Sequence, residues 1–299
     1  MSALAVAPAA SPPLGIWRYT PPPLPREARL RVVRPIEPGV VTDIRCALDP
    51  CLLSERAGLV PDPWQRELLR APDRQILVNC SRQVGKSETT ATLASHTAIY
   101  TPGAIVLLLS PSLRQSGLLF AKVKRRLKDL GGDFAELETD NALSVRLSNG
   151  SEIHSLPGKG ETVRGFSGVT LIIVDEAAFI ADDLITAVSP MLATSGGRLI
   201  LLSTPFGKRG VFYEEWAAAE RAVAARQTPA YALFTVRAEE CPRIPAAFLA
   251  EERRKLGVLY QQEYGCQFLD VITALFRHED VAAALDNDLE AYDFGEEVA

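Results

Sequence analysis

Four continuous apolar runs constrain this chain more than anything else in it: QILVNC (75–80), AIVLLLS (104–110), VTLIIVDE (169–176) and RLILLSTP (198–205). A strand that faces water on one side alternates apolar and polar residues. These runs do not alternate, so each is expected to be buried on both faces, as in a parallel sheet covered by helices on both sides. The segments between them agree. SETTATLASHTAIY (87–100) and LRQSGLLFAKVKRRLKDL (113–130) read as helices, the second ended by Gly131 and Gly132, and WQRELLRA (64–71) reads as a short helix before the first strand. LSVRLSNGSEIHSLP (143–157) alternates around Asn149-Gly150 as a hairpin, YALFTV (231–236) would extend the sheet, and PAAFLAEERRKL and YQQEYGCQF read as two closing helices. Strands alternating with helices imply an α/β fold with a doubly wound, mostly parallel sheet.

The organisation outside this pattern is simpler. Residues 1–40 carry PPLGIWRYTPPPLP without any apolar period and are expected to form an extended or disordered arm. Residues 41–270 form the expected domain. Residues 271–299 are an extension whose last 14 residues hold six acids and neither Lys nor Arg, so loose attachment is expected. No run approaches the roughly 20 apolar residues that cross a bilayer, and the proline-broken start lacks a basic secretory leader, which points to a soluble cytoplasmic protein with no membrane partner. Five scattered cysteines without a CxxC pair argue against disulfides and zinc. The formal charge of −5 repels phosphate, so any nucleic-acid contact needs a local basic patch. KVKRRLKDL concentrates Lys122, Lys124, Arg125, Arg126 and Lys128, but these cannot share one helical face, and such a run reads first as a solvated helix side and second as a DNA contact.

The chemistry lies at the ends of the apolar runs. Ser81-Arg82-Gln83-Val84-Gly85-Lys86-Ser87 lies between the strand ending at Cys80 and a helix, the context of a phosphate-binding loop of a P-loop NTPase. Its backbone amides and the helix N-terminus would face the β- and γ-phosphates of ATP, with Lys86 as a point charge and the Ser87 hydroxyl as a ligand of Mg²⁺. One defect is Cys80, which stands where the loop pattern wants glycine. Asp175 and Glu176 end the third run. Asp175 would hold magnesium through water, and Glu176 would act as general base on the attacking water. Acids also start helices for electrostatic reasons, but carboxyl ends of parallel strands are where such sheets bind ligands. Ser203, Thr204 and Pro205 end the fourth run. They would couple γ-phosphate loss to motion, against the competing reading of an ordinary Ser/Thr/Pro turn.

Together SRQVGKS, IIVDEAAF (172–179), STP and QEYGCQF (262–268) resemble the large terminase subunits of tailed viruses, over about residues 61–294. The resemblance implies a RecA/ASCE-like ATPase that translocates double-stranded DNA into a capsid, with a portal protein, a small terminase subunit and a homo-oligomeric ring as partners. It also accepts a loop without its first glycine, which removes the objection of Cys80. It implies that Pro63-Trp64-Gln65 sits at the adenine, Gln65 reading the base edge. The competing reading makes Trp64 a core anchor and Gln65 a polar residue of a helix start. Arg82 would reach the γ-phosphate from the same subunit or form a structural ion pair. Arg164 would act as a finger on a neighbouring subunit's nucleotide, a contribution of about 10³ to 10⁵ in rate in other phosphoryl-transfer systems. Large terminases usually continue into a nuclease domain, which this sequence is expected to lack, and the acids Asp286, Asp288, Glu290 and Asp293 are not expected to form a metal site. A helicase-like remodelling ATPase and a non-hydrolysing nucleotide-binding relic are the alternatives.

Overall fold

A computed structural model describes residues 38–131 and 136–270. Three short helices come first: α1 (Pro38–Leu48), α2 (Pro50–Arg56) and α3 (Pro63–Arg70). Proline opens all three, which suits its fixed φ and missing N–H. The last residues of the expected arm therefore already belong to α1, while 1–37 and 271–299 lie outside the described residues, as do the four acids Asp286, Asp288, Glu290 and Asp293.

The sheet comes next. Strand β1 (Gln75–Cys80) leads into helix α4 (Lys86–Tyr100), and β2 (Ile105–Ser110) into α5 (Leu113–Leu130). After these stand β3 (Leu137–Asp140), β4 (Ser144–Leu147), β5 (Glu152–Pro157), the short α6 (Gly160–Val163) and β6 (Leu171–Asp175). Helix α7 (Asp183–Leu192), β7 (Arg198–Ser203), α8 (Gly210–Ala224), β8 (Ala232–Val236), α9 (Ala246–Leu256) and α10 (Leu259–Glu263) complete it. The strand order is β3-β4-β5-β2-β6-β7-β1-β8. From β5 to β8 all neighbours are parallel, and the antiparallel pairs β3–β4 and β4–β5 lie at one edge.

Strand alternation splits the core in two. Ile76, Val78, Val106, Leu108, Leu171, Ile173, Ile200 and Leu202 pack with α4 and α5 on one face. The intervening Leu77, Leu107, Leu109, Ile172, Val174, Leu199 and Leu201 pack with α6, α7 and α8 on the other. Every one of these side chains is at most 1% exposed, so the unbroken apolar runs have the two-faced burial that their lack of alternation demands. The Asn149-Gly150 turn joins β4 and β5 as expected, Gly150 at φ +83, and Asn149 donates from Nδ2 to the carbonyls of Ala98 and Ile99 at the end of α4, 2.8 and 2.9 Å away.

Some elements differ from expectation. Helices α7 and α8 are not among those the sequence pattern announces. Pro190 interrupts the first pattern near its end, and the second presents only Phe212, Trp216 and Ala219 to the core from an otherwise alanine-rich stretch. The last expected helix ends at Glu263; beyond it the Tyr264 carbonyl accepts the Ala238 amide and the Cys266 carbonyl accepts Asn79 Nδ2, so the segment is drawn to the strand tips.

Candidate phosphate-binding site

All six parallel strands end at one edge, which gathers Cys80, Ser110, Pro157, Asp175, Ser203 and Val236 there. Because β7 lies between β1 and β6, the tip carrying Ser203 and Thr204 sits between the loop of Lys86 and the acids Asp175 and Glu176. Residues far apart in sequence thus meet: Lys86 Nζ donates to Glu176 Oε1 at 3.0 Å.

The loop's shape explains its residues. Gln83 (φ +64) and Gly85 (φ +99) take the left-handed region, whereas Cys80 does not, so no glycine is required at position 80. Cys80 ends β1 with its thiol buried and directed at the Ser203 carbonyl, 3.7 Å away, and burial pushes the thiol well up from its ordinary value. Among the described residues, the amides of Gln83, Val84, Gly85, Lys86 and Ser87 donate to no backbone carbonyl, while Glu88 and Thr89 already donate to Gly85. Five free donors around a helix N-terminus form an anion-binding cradle.

Charge is arranged to match. Burial opposes the Lys86 ammonium, but neighbouring Cys80 and the carboxylates of Glu176 and Asp175 together outweigh it and hold the group above its ordinary value. Burial also pushes the Asp175 carboxyl up, with Lys86 pulling the other way, and Asp175 Oδ1 accepts the Glu176 amide at 3.0 Å. Glu176 takes a left-handed conformation, φ +53, uncommon outside glycine and found at sites whose surroundings hold it there. Ser87 and Asp175 are hard oxygen donors. No group of three or more His, Cys, Asp or Glu suited to a metal exists among the described residues. One hydroxyl and one carboxylate fit magnesium, which keeps waters and phosphate oxygens as its remaining ligands, better than a metal needing a full protein cage.

The remaining candidates divide. Ser203 is fully buried, its hydroxyl donating to the Thr204 carbonyl at 2.8 Å, and Thr204 and Pro205 are buried beside it. Arg82 is in an ion pair with Glu263 of α10, the structural alternative of the two left open. Arg164 follows α6, is exposed, and makes no hydrogen bond or ion pair with the loop among the described residues. Gln65 faces the loop: its Oε1 accepts the Asp62 amide at 2.8 Å, and its Nε2 donates to Thr89 Oγ1 at 2.8 Å and to the Gly85 carbonyl at 3.4 Å. Reading a base edge would require Gln65 to exchange one of these partners. Trp64, expected beside it, does not line the same space. On α3, positions 65 and 69 face the loop, and the indole of Trp64 turns with Leu68 into the main core. In α5, Arg126 is buried against Glu88, Lys122 pairs with the same Glu88, and Lys124 pairs with Asp140, leaving Arg125 and Lys128 exposed.

Sequence reasoning named Ser81 as part of the loop but missed the partners that hold the loop in place. Ser81 donates through its amide to the Val236 carbonyl at 2.9 Å and through Oγ to the Glu263 carbonyl at 3.2 Å. Asn79 Nδ2 donates to the Cys266 carbonyl at 2.8 Å, and the Gly207 amide to Gln262 Oε1 at 3.2 Å. Arg243, after β8, donates from Nη2 to the Val84 carbonyl at 2.8 Å. The QEYGCQF stretch was visible as a motif; its attachment to three strand tips was not.

Comparison with known proteins agrees with this fold. A profile of the family described as terminase large subunit, T4likevirus-type, N-terminal, matches residues 77–283. The large terminase ATPase domain of Thermus phage P74-26 superposes with a TM-score of 0.63 at 23% identity, covering 72% of this chain and 97% of that one. The HK97 bacteriophage large terminase gives 0.57 at 16%, covering 70% of this chain and 51% of that one. A thermophilic bacteriophage large terminase solved in complex with ADP gives 0.55 at 14%, covering 70% and 54%. At these identities the likeness concerns the fold, that of RecA/ASCE-type P-loop domains, and the chain spans about half the length of the last two.

Proposed function

Because the chain belongs to the N-terminal family of T4likevirus-type terminase large subunits, we propose that it hydrolyses ATP to drive double-stranded DNA into a viral capsid. The observation that carries the reading is the bond between Lys86 and Glu176, 3.0 Å, at the edge where the free loop amides gather. In this reading the amides of residues 83–87 hold the β- and γ-phosphates, and Ser87 and Asp175 hold Mg²⁺, which supplies charge neutralisation on the phosphate oxygens. Glu176 takes a proton from the attacking water. In the structure one of its carboxylate oxygens is occupied by Lys86. Phosphate oxygens that compete for Lys86 release Glu176, so the base becomes available when substrate is present.

Ser203, Thr204 and Pro205, between the two halves of the site, carry the loss of γ-phosphate to the rest of the domain. Arg82 would have to leave Glu263 to reach a phosphate of its own subunit, whereas exposed Arg164 is the finger offered to a neighbour's nucleotide in a ring. The portal protein and small terminase subunit follow from family membership, as does action in the cytoplasm of an infected cell; no helix among the described residues is long and apolar enough to cross a membrane.

The test is steady-state Mg²⁺-dependent ATP hydrolysis, with and without duplex DNA. Glu176→Gln is expected to lower turnover by about 10² to 10⁴, the usual contribution of a positioned general base. Unchanged turnover would refute the assignment, and turnover indifferent to duplex DNA would count against a packaging motor. Arg164→Ala retaining full DNA-stimulated turnover would exclude the finger in trans.

A further inference from the structure

A cavity of about 240 Å³ opens beside Gly85. Its surface is largely apolar, from Leu59, Val60, Pro61 and Leu69, with Ser54, Gln65, Glu88, Thr89 and Thr92 as polar points. It lies below the roughly 300 to 1,000 Å³ of pockets that enclose a drug-sized ligand, so it suits a flat ring in preference to a whole nucleotide. Arg243 lines it from the far end of the chain.

The guanidinium of Arg243 is held at two points. Nη1 pairs with Asp62 Oδ2 at 2.5 Å, and Nη2 donates to the Val84 carbonyl at 2.8 Å. The Val84 contact is a hydrogen bond along an N–H, and the Asp62 contact is an ion pair. Together they hold the guanidinium at the wall of a largely apolar cavity, and a guanidinium held beside such a space can stack on an aromatic ring. The Val84 bond ties it to the peptide before Gly85, where an added Cβ would lie 3.0 Å from Nη2.

We propose that Arg243 is a nucleobase-binding residue of this site, stacking its guanidinium on the purine of the bound nucleotide while its edge holds the Val84-Gly85 peptide. The assignment rests on the nucleotide reading of the loop and adds to it the residue that recognises the base. Base occupancy and loop geometry are then linked through one side chain, 159 positions from Val84 in sequence.

The test compares a ligand with a base and one without. Binding of ADP and of inorganic tripolyphosphate, each with Mg²⁺, is measured by calorimetry for wild type, Arg243→Ala and Arg243→Lys. Arg243→Ala is expected to weaken ADP about tenfold, as for a partly desolvated cation–π contact. Tripolyphosphate should change by no more than about twofold, as for a solvent-screened charge outside the phosphate cradle. Arg243→Lys, which keeps the charge but loses the plane, is expected to share the loss for ADP. Equal weakening of both ligands would mean that Arg243 acts only by shaping the loop, and would overturn the base contact. Unchanged ADP affinity in both variants would overturn it as well. A wild-type chain that binds neither ligand would refute the nucleotide reading, and the assignment with it. If thermal unfolding shows that Arg243→Ala fails to fold, Arg243→Lys decides.

Discussion

Replacing Gly85 by alanine tests how tightly the loop is built. Gly85 has φ +99, and an ideal Cβ there would lie 2.9 Å from Gln65 Nε2 and 3.0 Å from Arg243 Nη2. The backbone alone costs about 1 kcal/mol for a side chain in this region. Displacing the Gln65 amide and the Arg243 guanidinium weakens two hydrogen bonds, each with a net value of about 1 kcal/mol. Gly85→Ala is therefore expected to destabilise the domain by about 2 to 3 kcal/mol, a fall in Tm of roughly 5 to 10 °C for this size. Urea unfolding followed by circular dichroism measures it. In a Gln65→Ala background one of the two obstacles is gone, so the same substitution should cost less, with a coupling energy of about 1 kcal/mol. A loss below about 0.5 kcal/mol, typical of an unconstrained surface site, or strict additivity with Gln65→Ala, would refute the packing argument.

Two groups outside the loop give further expected outcomes. Arg126 is 3% exposed and relies on Glu88 for its charge partner, so Glu88→Ala, which strands a buried guanidinium, is expected to cost about 3 kcal/mol, and Arg126→Met clearly less; denaturant midpoints of the two variants decide, and the reverse order would refute the account. His96 Nε2 lies 3.1 and 3.2 Å from the carbonyls of Cys46 and Ala47, and burial holds its pKa below the ordinary 6.5. The unfolded chain therefore takes up the proton first as pH falls, so stability is lost on going below about pH 6.5; urea midpoints at pH 7.5 and 5.5 should show a slope that His96→Gln flattens, and an unchanged slope would exclude His96 as its source.

The four apolar runs were enough to specify a parallel sheet, because a strand buried on both faces leaves a mark in its own residues. So were the positions of the loop and the acids, since SRQVGKS and VDE each follow a run whose end is the sheet's carboxyl edge. The hairpin at Asn149-Gly150 was legible for the same local reason. Helices α7 and α8 were harder, one carrying Pro190 and the other a thin apolar stripe in alanine.

What the sequence could not decide is which distant group each site residue meets. That β7 lies between β1 and β6, and so sets Ser203 between Lys86 and Glu176, is a matter of strand order, which no single strand encodes. Arg82 carries the same charge whether it faces a phosphate or Glu263, and only the packing of α10 against the loop assigns it to Glu263. Trp64 and Gln65 are neighbours in sequence, yet the turn of α3 sends one into the core and the other to the loop. Arg243 had no motif at all; it reaches Val84 because β8 pairs with β1 and delivers the following segment to the loop. Local patterns fix secondary structure through burial, whereas hydrogen-bond and charge partners are fixed by the order in which the elements assemble.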